Sequence, residues 1–378
     1  MKIVELGRDR YAKSLENYID CVEFVPLQRS TALQTIGWIE ACRLVHKLPR
    51  DVGVLVKSNF ETGNWKLDLA TRLWFRHYIT IEHTEPPLMP PRTSRRYLGG
   101  FLRGVGLWWF RMFIPRWARS IGPHLLVTVS EAVRRRLIDV YRFPGRKVVT
   151  VYGGIDTTKF TPNIEFRRSQ RAAWGIREDT LVFGTVGRLH EAKGYSLAIE
   201  LFASLVRRMP DRDMRLVFVG EGPLEAKLKA AAAASGFGDR IIFENFTNQT
   251  WRVYPAFDLF VMPSTTEALG LALLEAMACG CPPIAMGVGG IPEVITDPNT
   301  GWLVPEKDRE RFFAAMINAA QSTPKRLAEM GRRARERVMA NFDVKLVFAR
   351  LADLIEFGAD GQRSVSRSRI DKMVGVRR

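Results

Sequence analysis

Between residues 181 and 285, short apolar runs alternate with stretches that carry a helical pattern, and this alternation restricts the fold more than any other feature of the chain. The run Leu181-Val182-Phe183-Gly184-Thr185-Val186 is short, mostly apolar and followed by a glycine, so it reads as a buried strand. Further strands are predicted at 215–219, 241–243, 259–262 and 283–285. Helices are predicted through 197–205, over 224–234 and 271–278, and as a short turn at 251–256. Strands that are apolar along their whole length, separated by helices, belong to a parallel sheet covered on both faces.

The first half alternates less cleanly. Strands are predicted at 52–56, 78–81 and 125–129, and helices at 33–46 and 67–75. Residues 150–162 contain glycine and proline and suit a linker. The expected organisation is a first α/β domain over 1–155 and a second over 156–340. A C-terminal helix over 341–358 would cross back to the first, and a serine- and arginine-rich tail over 359–378 would be disordered. In parallel sheets ligands sit beyond the carboxyl ends of the strands, so the functional residues are expected on strand-to-helix loops facing a cleft between two such domains.

Composition narrows the partners only loosely. The chain has 378 residues, 46% of them hydrophobic, which is enough for two cores. No apolar run approaches the roughly 18 residues that span a bilayer, and the start is too charged for a signal peptide. A cytoplasmic protein, free or lying on a membrane surface, is expected. The formal net charge of +17 favours anionic partners: nucleic acid, anionic lipid or a phosphorylated substrate. Cys21, Cys42, Cys279 and Cys281 fit neither a zinc site nor a disulfide framework and read as buried thiols.

Two segments carry chemistry. The first, Val186-Gly187-Arg188-Leu189-His190-Glu191-Ala192-Lys193-Gly194, follows a strand and precedes a helix. A glycine that admits close approach, two cations and a helix N-terminus make a diphosphate cradle. The spacing is not that of a P-loop, and a solvated loop would carry the same charges. The second runs from Pro263 to Gly280 and holds Glu267 and Glu275, eight residues apart. Eight residues are about 2.2 helical turns, so the two need not share a face. One can meet a ligand from the loop and the other from the helix. Carboxylates accept paired hydrogen bonds from sugar or ribose hydroxyls, and Glu275 lies between apolar neighbours where a surface charge is out of place.

Together with other short motifs, these segments resemble the retaining glycosyltransferase family 4 of the two-domain GT-B fold. The matching pieces are Val129-Ser130-Glu131, Gly154-Ile155-Asp156, Gly187-Arg188 with Lys193-Gly194, Gly220-Glu221-Gly222-Pro223, Glu267 and Glu275, Gly280-Cys281-Pro282, Gly289-Gly290-Ile291-Pro292-Glu293 and Gly301-Trp302-Leu303-Val304. They run in order at the family's spacing. The resemblance implies two Rossmann-like domains and a nucleotide-sugar donor. Arg188 and Lys193, with Gly187, would bind the donor diphosphate, and Glu275 the ribose. Glu267 would contact the transferred sugar, with the backbone around Leu269, Gly270 and Leu271 near its phosphate and Glu221 on the neighbouring loop. His83 stands where the family has a sugar-contacting histidine. The acceptor would be a glycan or a lipid-linked molecule. No cofactor is expected and no metal is required: Asp211-Arg212-Asp213 mimics a metal-binding Asp-x-Asp but precedes a strand, at the wrong end of a parallel sheet.

The chain departs from the family in two places. Gly153 stands where asparagine is usual, in the linker. The opening lacks the glycine-rich loop, since Gly7 and Gly37 are the only glycines before Gly53. The first strand-loop-helix is therefore expected to be short or missing, which leaves a catalytically inactive scaffold as one alternative. A nucleic-acid binder would explain the charge, but no nucleic-acid module is present and no such partner is expected. A dinucleotide oxidoreductase would need a third glycine where Glu225 stands.

The segment 86–130 holds seven arginines and no acidic residue. Over 98–117 its apolar residues, Trp108 and Trp109 among them, fall on one side at helical spacing and arginines on the other. Such a helix can lie on an anionic membrane surface or simply pack on its own sheet.

Overall fold

Apolar, β-branched runs with helices between them can bury both faces of a sheet only by pairing in parallel, and every strand pairing in this computed structural model is parallel. The structure describes residues 3–6, 54–58, 78–82, 125–140 and 142–359. Two compact units result, Met1–Tyr152 with Phe348–Arg378, and Gly153–Val347.

The first unit holds β1 (Ile3–Leu6), β2 (Val54–Ser58), β3 (Tyr78–Glu82), β4 (Leu125–Thr128) and β5 (Val148–Thr150), side by side in chain order. Between β4 and β5 runs α1 (Glu131–Asp139), started by Ser130, whose hydroxyl accepts from the Val133 N–H at 3.2 Å. Strands β2, β3 and β4 fall within two residues of their predicted positions. The glycine-poor stretch 7–53, on which the expectation of a missing strand-loop-helix rests, lies outside the described residues. So do the predicted helices at 33–46 and 67–75, Cys21, Cys42, the arginine-rich helix 98–117 and the tail from 360 on.

The second unit opens with α2 (Ile164–Ala173) and continues through β6 (Leu181–Val186), α3 (Tyr195–Arg208), β7 (Met214–Val219), α4 (Glu225–Ala234), β8 (Ile241–Glu244) and β9 (Leu259–Met262). It goes on with α5 (Leu271–Ala278), β10 (Pro283–Met286), α6 (Ile291–Val294), β11 (Trp302–Val304), α7 (Arg309–Gln321) and α8 (Pro324–Asn341), and α9 (Val344–Ala359) follows. The strand order is β11-β10-β9-β6-β7-β8. The chain starts at the centre, works outward through β7 and β8, returns to the other side of β6 and works outward again. The order reverses between β6 and β9, and the crevice beyond the carboxyl ends of those two strands is where such sheets bind ligands. Phe183, Phe218 and Phe260, one on each of β6, β7 and β9, are fully buried in the core.

The amino ends of the same strands are locked by charge. The Val182 N–H donates to Asp258 Oδ2 at 2.7 Å, and the same oxygen pairs with the buried Arg171 guanidinium at 2.7 Å. Arg171 also donates to the carbonyls of Ala256, Arg177, Glu178 and Thr180, at 2.9 to 3.1 Å. Burial lowers the pKa of Arg171, and Asp258 opposes that shift. Asp213 lies at this amino end too, immediately before β7 and bonded to Thr180 and Arg215.

Candidate active site

Four strand-to-helix loops of the second unit meet at the carboxyl ends of its sheet. The loop after β6 is fixed first: the Gly187 N–H donates to Val219 O at 3.0 Å, and the Leu189 N–H to Glu221 O at 2.9 Å. Backbone thus ties this loop to the one after β7. Leu189 is buried, while Arg188 and Glu221 on either side of this junction are exposed. Residues Glu191–Lys193 make one tight turn, closed by Gly194 at φ +66° before α3 begins. A side chain cannot replace this glycine, because a Cβ would sit 2.0 Å from the carbonyl oxygen of Pro263 on the loop after β9. The Thr265 N–H donates to Ala192 O at 2.9 Å, so the two loops are stitched across the switch point.

That stitching brings two predicted residues into contact. Lys193 Nζ donates to Glu267 Oε1 at 2.6 Å, and Ser264 Oγ donates to the same oxygen at 2.9 Å. The Gly290 N–H, from the loop after β10, donates to the backbone oxygen of Glu267 at 3.3 Å. Among the described residues Arg188 makes no ion pair, so its charge is free for a ligand. Gly270, at φ +90°, starts α5 with no side-chain cap, and it stands between buried Leu269 and exposed Leu271. Gly153 in the linker packs here as well: a Cβ on it would lie 3.1 Å from Leu269 Cδ2 and 3.3 Å from Leu271 Cδ2. The asparagine usual at that position would press on the loop.

Glu275 is held apart from the Lys193–Glu267 pair. One turn into α5, its Oε2 accepts from the hydroxyl of Tyr254 at 2.7 Å. Burial pushes its carboxyl up to about 7, against the pull of the Tyr254 hydrogen bond and of the Lys159 charge. Lys159, from the linker, lies over the ring of Trp251 at 3.7 Å. Cys279 and Cys281, at the end of α5, are buried free thiols whose pKa values burial raises. His83 lies outside the described residues.

Of the predicted site residues, Gly187, Arg188, Lys193, Glu221, Glu267, Leu269, Gly270, Leu271 and Glu275 all lie on the loops or helix start at this end of the sheet. Among these described residues, Lys193 and Glu267 are joined by a side-chain hydrogen bond. Sequence reasoning missed Ser264, Tyr254, Lys159 and Trp251. Ser264 had a signal, three residues before Glu267 on the same loop. The other three come from a linker and a short turn with no motif of their own.

Models of two protein families match successive parts of the chain. The model for glycosyltransferase family 4 matches residues 38–159, and that for glycosyl transferases group 1 matches residues 166–337. A D-inositol 3-phosphate glycosyltransferase of Saccharomonospora viridis is 32% identical over 220 residues, covering 56% of this chain and 50% of that protein. A GDP-mannose-dependent alpha-(1-6)-phosphatidylinositol monomannoside mannosyltransferase of Mycolicibacterium smegmatis is 29% identical and covers 76% of each. The chain spans about half the length of most of the curated relatives it matches. Among solved structures, Anabaena HepE in complex with UDP-glucose superposes with a TM-score of 0.73 at 17% identity, covering 94% of this chain and 100% of that one. A glycosyltransferase of Rickettsia africae gives the same TM-score at 16% identity, covering 96% and 90%. Two adjoining family models and parallel α/β units of this kind together support a family 4-like, group 1 glycosyltransferase of the GT-B fold.

Proposed function

We propose that this chain transfers a sugar from a nucleotide-sugar donor to a hydroxyl of a glycan or lipid-linked acceptor, with retention of configuration. The observation that carries the reading is the Lys193–Glu267 contact across the switch point, which puts a cation for phosphate and a carboxylate for sugar hydroxyls side by side. Arg188 and Lys193 hold the diphosphate, the backbone at Leu269, Gly270 and Leu271 meets its distal phosphate, Glu267 takes the sugar and Glu275 the ribose. The exposed Glu221 borders the pocket from the loop after β7. By the family resemblance, His83 also contacts the sugar.

In the reaction the bond from the anomeric carbon to the phosphate oxygen breaks as the bond to the acceptor oxygen forms on the same face. The acceptor proton passes to the departing phosphate. Negative charge grows on the diphosphate as it leaves, and fixed cations stabilise it most at that moment. In this reading Arg188 and Lys193 supply that charge and a divalent metal is not required, so turnover persists in EDTA.

The name of the mycobacterial relative gives phosphatidylinositol monomannoside as its acceptor class, which supports a lipid-linked acceptor here. The decisive variant is Lys193→Ala. Losing a charged partner of a bound phosphate costs about 2–5 kcal/mol, and calorimetry with UDP- and GDP-sugars should register it. Unchanged affinity overturns the reading. A donor panel read by thermal shift identifies the sugar and base, since a ligand at about 100 times its Kd adds about 2.7 kcal/mol.

A further inference from the structure

We infer that Tyr254 is a positioning residue for the donor: its hydroxyl fixes the Glu275 carboxylate for the ribose and holds it in the ionised form that accepts the ribose hydroxyls. The inference rests on the reading of Glu275 as the ribose ligand and adds a residue that no motif marks.

Tyr254 is fully buried, and three aromatic rings box it in. Phe160 from the linker stands edge-on at 6.0 Å, Phe257 edge-on at 6.1 Å and Phe260 of β9 tilted at 5.9 Å. Such a ring has no freedom to swing, so its hydroxyl stays where the fold puts it, 2.7 Å from Glu275 Oε2. Burial raises the phenol pKa, and the adjacent Glu275 adds to that shift, so the hydroxyl keeps its proton and can only donate to the carboxylate. Among the described residues no other hydrogen bond reaches the Glu275 carboxylate, which leaves Oε1 and the second lone pair of Oε2 for a ligand. Two ribose hydroxyls need two acceptors in fixed directions, and a carboxylate on a helix acquires a fixed direction only from such a partner.

The groups facing Glu275 come from three elements. Tyr254 lies on the turn after β8, Lys159 on the linker and Cys279 one turn further along α5. Tyr195 lies behind Tyr254, and Arg335 faces Cys279. Burial holds Cys279 protonated, so Tyr254 and Lys159 are the groups that favour ionised Glu275.

The experiment is a titration of UDP and of GDP by calorimetry between pH 5.5 and 8.5, on the wild type and on Tyr254→Phe, Glu275→Gln and Glu275→Asp. Wild-type affinity is expected to fall on the acid side of neutrality. Tyr254→Phe keeps the ring and removes one hydrogen bond to a charged group, so the acid limb moves up by about one pH unit, and affinity at pH 8.5, where the carboxylate is ionised but no longer held, falls severalfold. Glu275→Asp is too short to reach Tyr254 and should lose at least tenfold at every pH. An unmoved limb in Tyr254→Phe, or weakening by the same factor at every pH, overturns the inference. So does Glu275→Asp binding like the wild type. If Glu275→Gln binds as tightly as the wild type at all pH values, or if neither nucleotide binds the wild type, the ribose assignment itself fails.

Discussion

Lys193, Glu267 and Glu275 illustrate how far a side chain's role depends on its partner. Glu267 is paired with a lysine and a serine, whereas the Glu275 carboxylate accepts from a buried phenol. The proposed assignment separates them by ligand. Glu275→Ala should weaken UDP or GDP alone, whereas Glu267→Ala should weaken only the nucleotide sugar; calorimetry with both ligand types tests this, and equal loss of nucleotide in both variants refutes it. Glu275 also gives stability a pH dependence. A carboxyl raised from 4.5 to about 7 in the folded protein binds its proton more tightly there than in the unfolded chain. Its contribution to stability is therefore complete below about pH 4.5 and is lost as pH rises through about 7, by about 3 kcal/mol. Urea denaturation at pH 5 and pH 8 should show a larger drop for the wild type than for Glu275→Gln. At this scale the sequence revealed ligands better than their supports. Glu275 stood out as a charge in an apolar helix. Tyr254 did not, because a tyrosine in an apolar turn looks like any core residue until the fold brings it to a carboxylate.

Elements behave differently. Long apolar strands announced themselves: β6 and β9 lie where the alternation put them. β5, only three residues long, and α7 and α8, rich in charge, did not. The strand order was not legible either, because periodicity shows that a sheet exists and says nothing of which strands adjoin. The order matters, for it places the loops after β6 and β9 next to each other and so makes one site of two motifs. Gly194 is where those loops touch. Gly194→Ala combines a left-handed backbone with a Cβ 2.0 Å from the Pro263 carbonyl, and it should cost well over about 1 kcal/mol. Because the strain falls on the stitched loops, donor affinity should drop with it. A wild-type Tm and donor Kd in this variant would show that the loops are not tied as described. The Arg171–Asp258 lock ties the amino ends together at the end of the sheet opposite the candidate site.

For the whole molecule, charge is the property that composition made plainest and fold explains least. Among the described residues no helix is long and apolar enough to cross a membrane. Docking on an anionic surface through 98–117 remains a proposal from the sequence. Each arginine near such a surface contributes about 1 kcal/mol, lost beyond a Debye length. Sedimentation with anionic and neutral vesicles tests it: binding to anionic vesicles alone, abolished at about 0.5 M salt, is expected if charge acts alone, and retention at that salt if the tryptophans insert. Pelleting with neither at low salt favours a soluble acceptor. A net charge of +17 also draws polyanions of every kind toward the protein. At the donor site, however, Lys193 is already matched by Glu267. A bare phosphate that takes the lysine leaves the Glu267 carboxylate with the Ser264 hydroxyl and without its counter-charge. A nucleotide sugar offers phosphate to one partner and hydroxyls to the other, and satisfies both at once. Under the proposed assignment, transfer would take the sugar from Glu267 and leave the lysine to return to it. The ion pair would then work as a turnstile, admitting the intact donor and helping to expel the spent nucleotide.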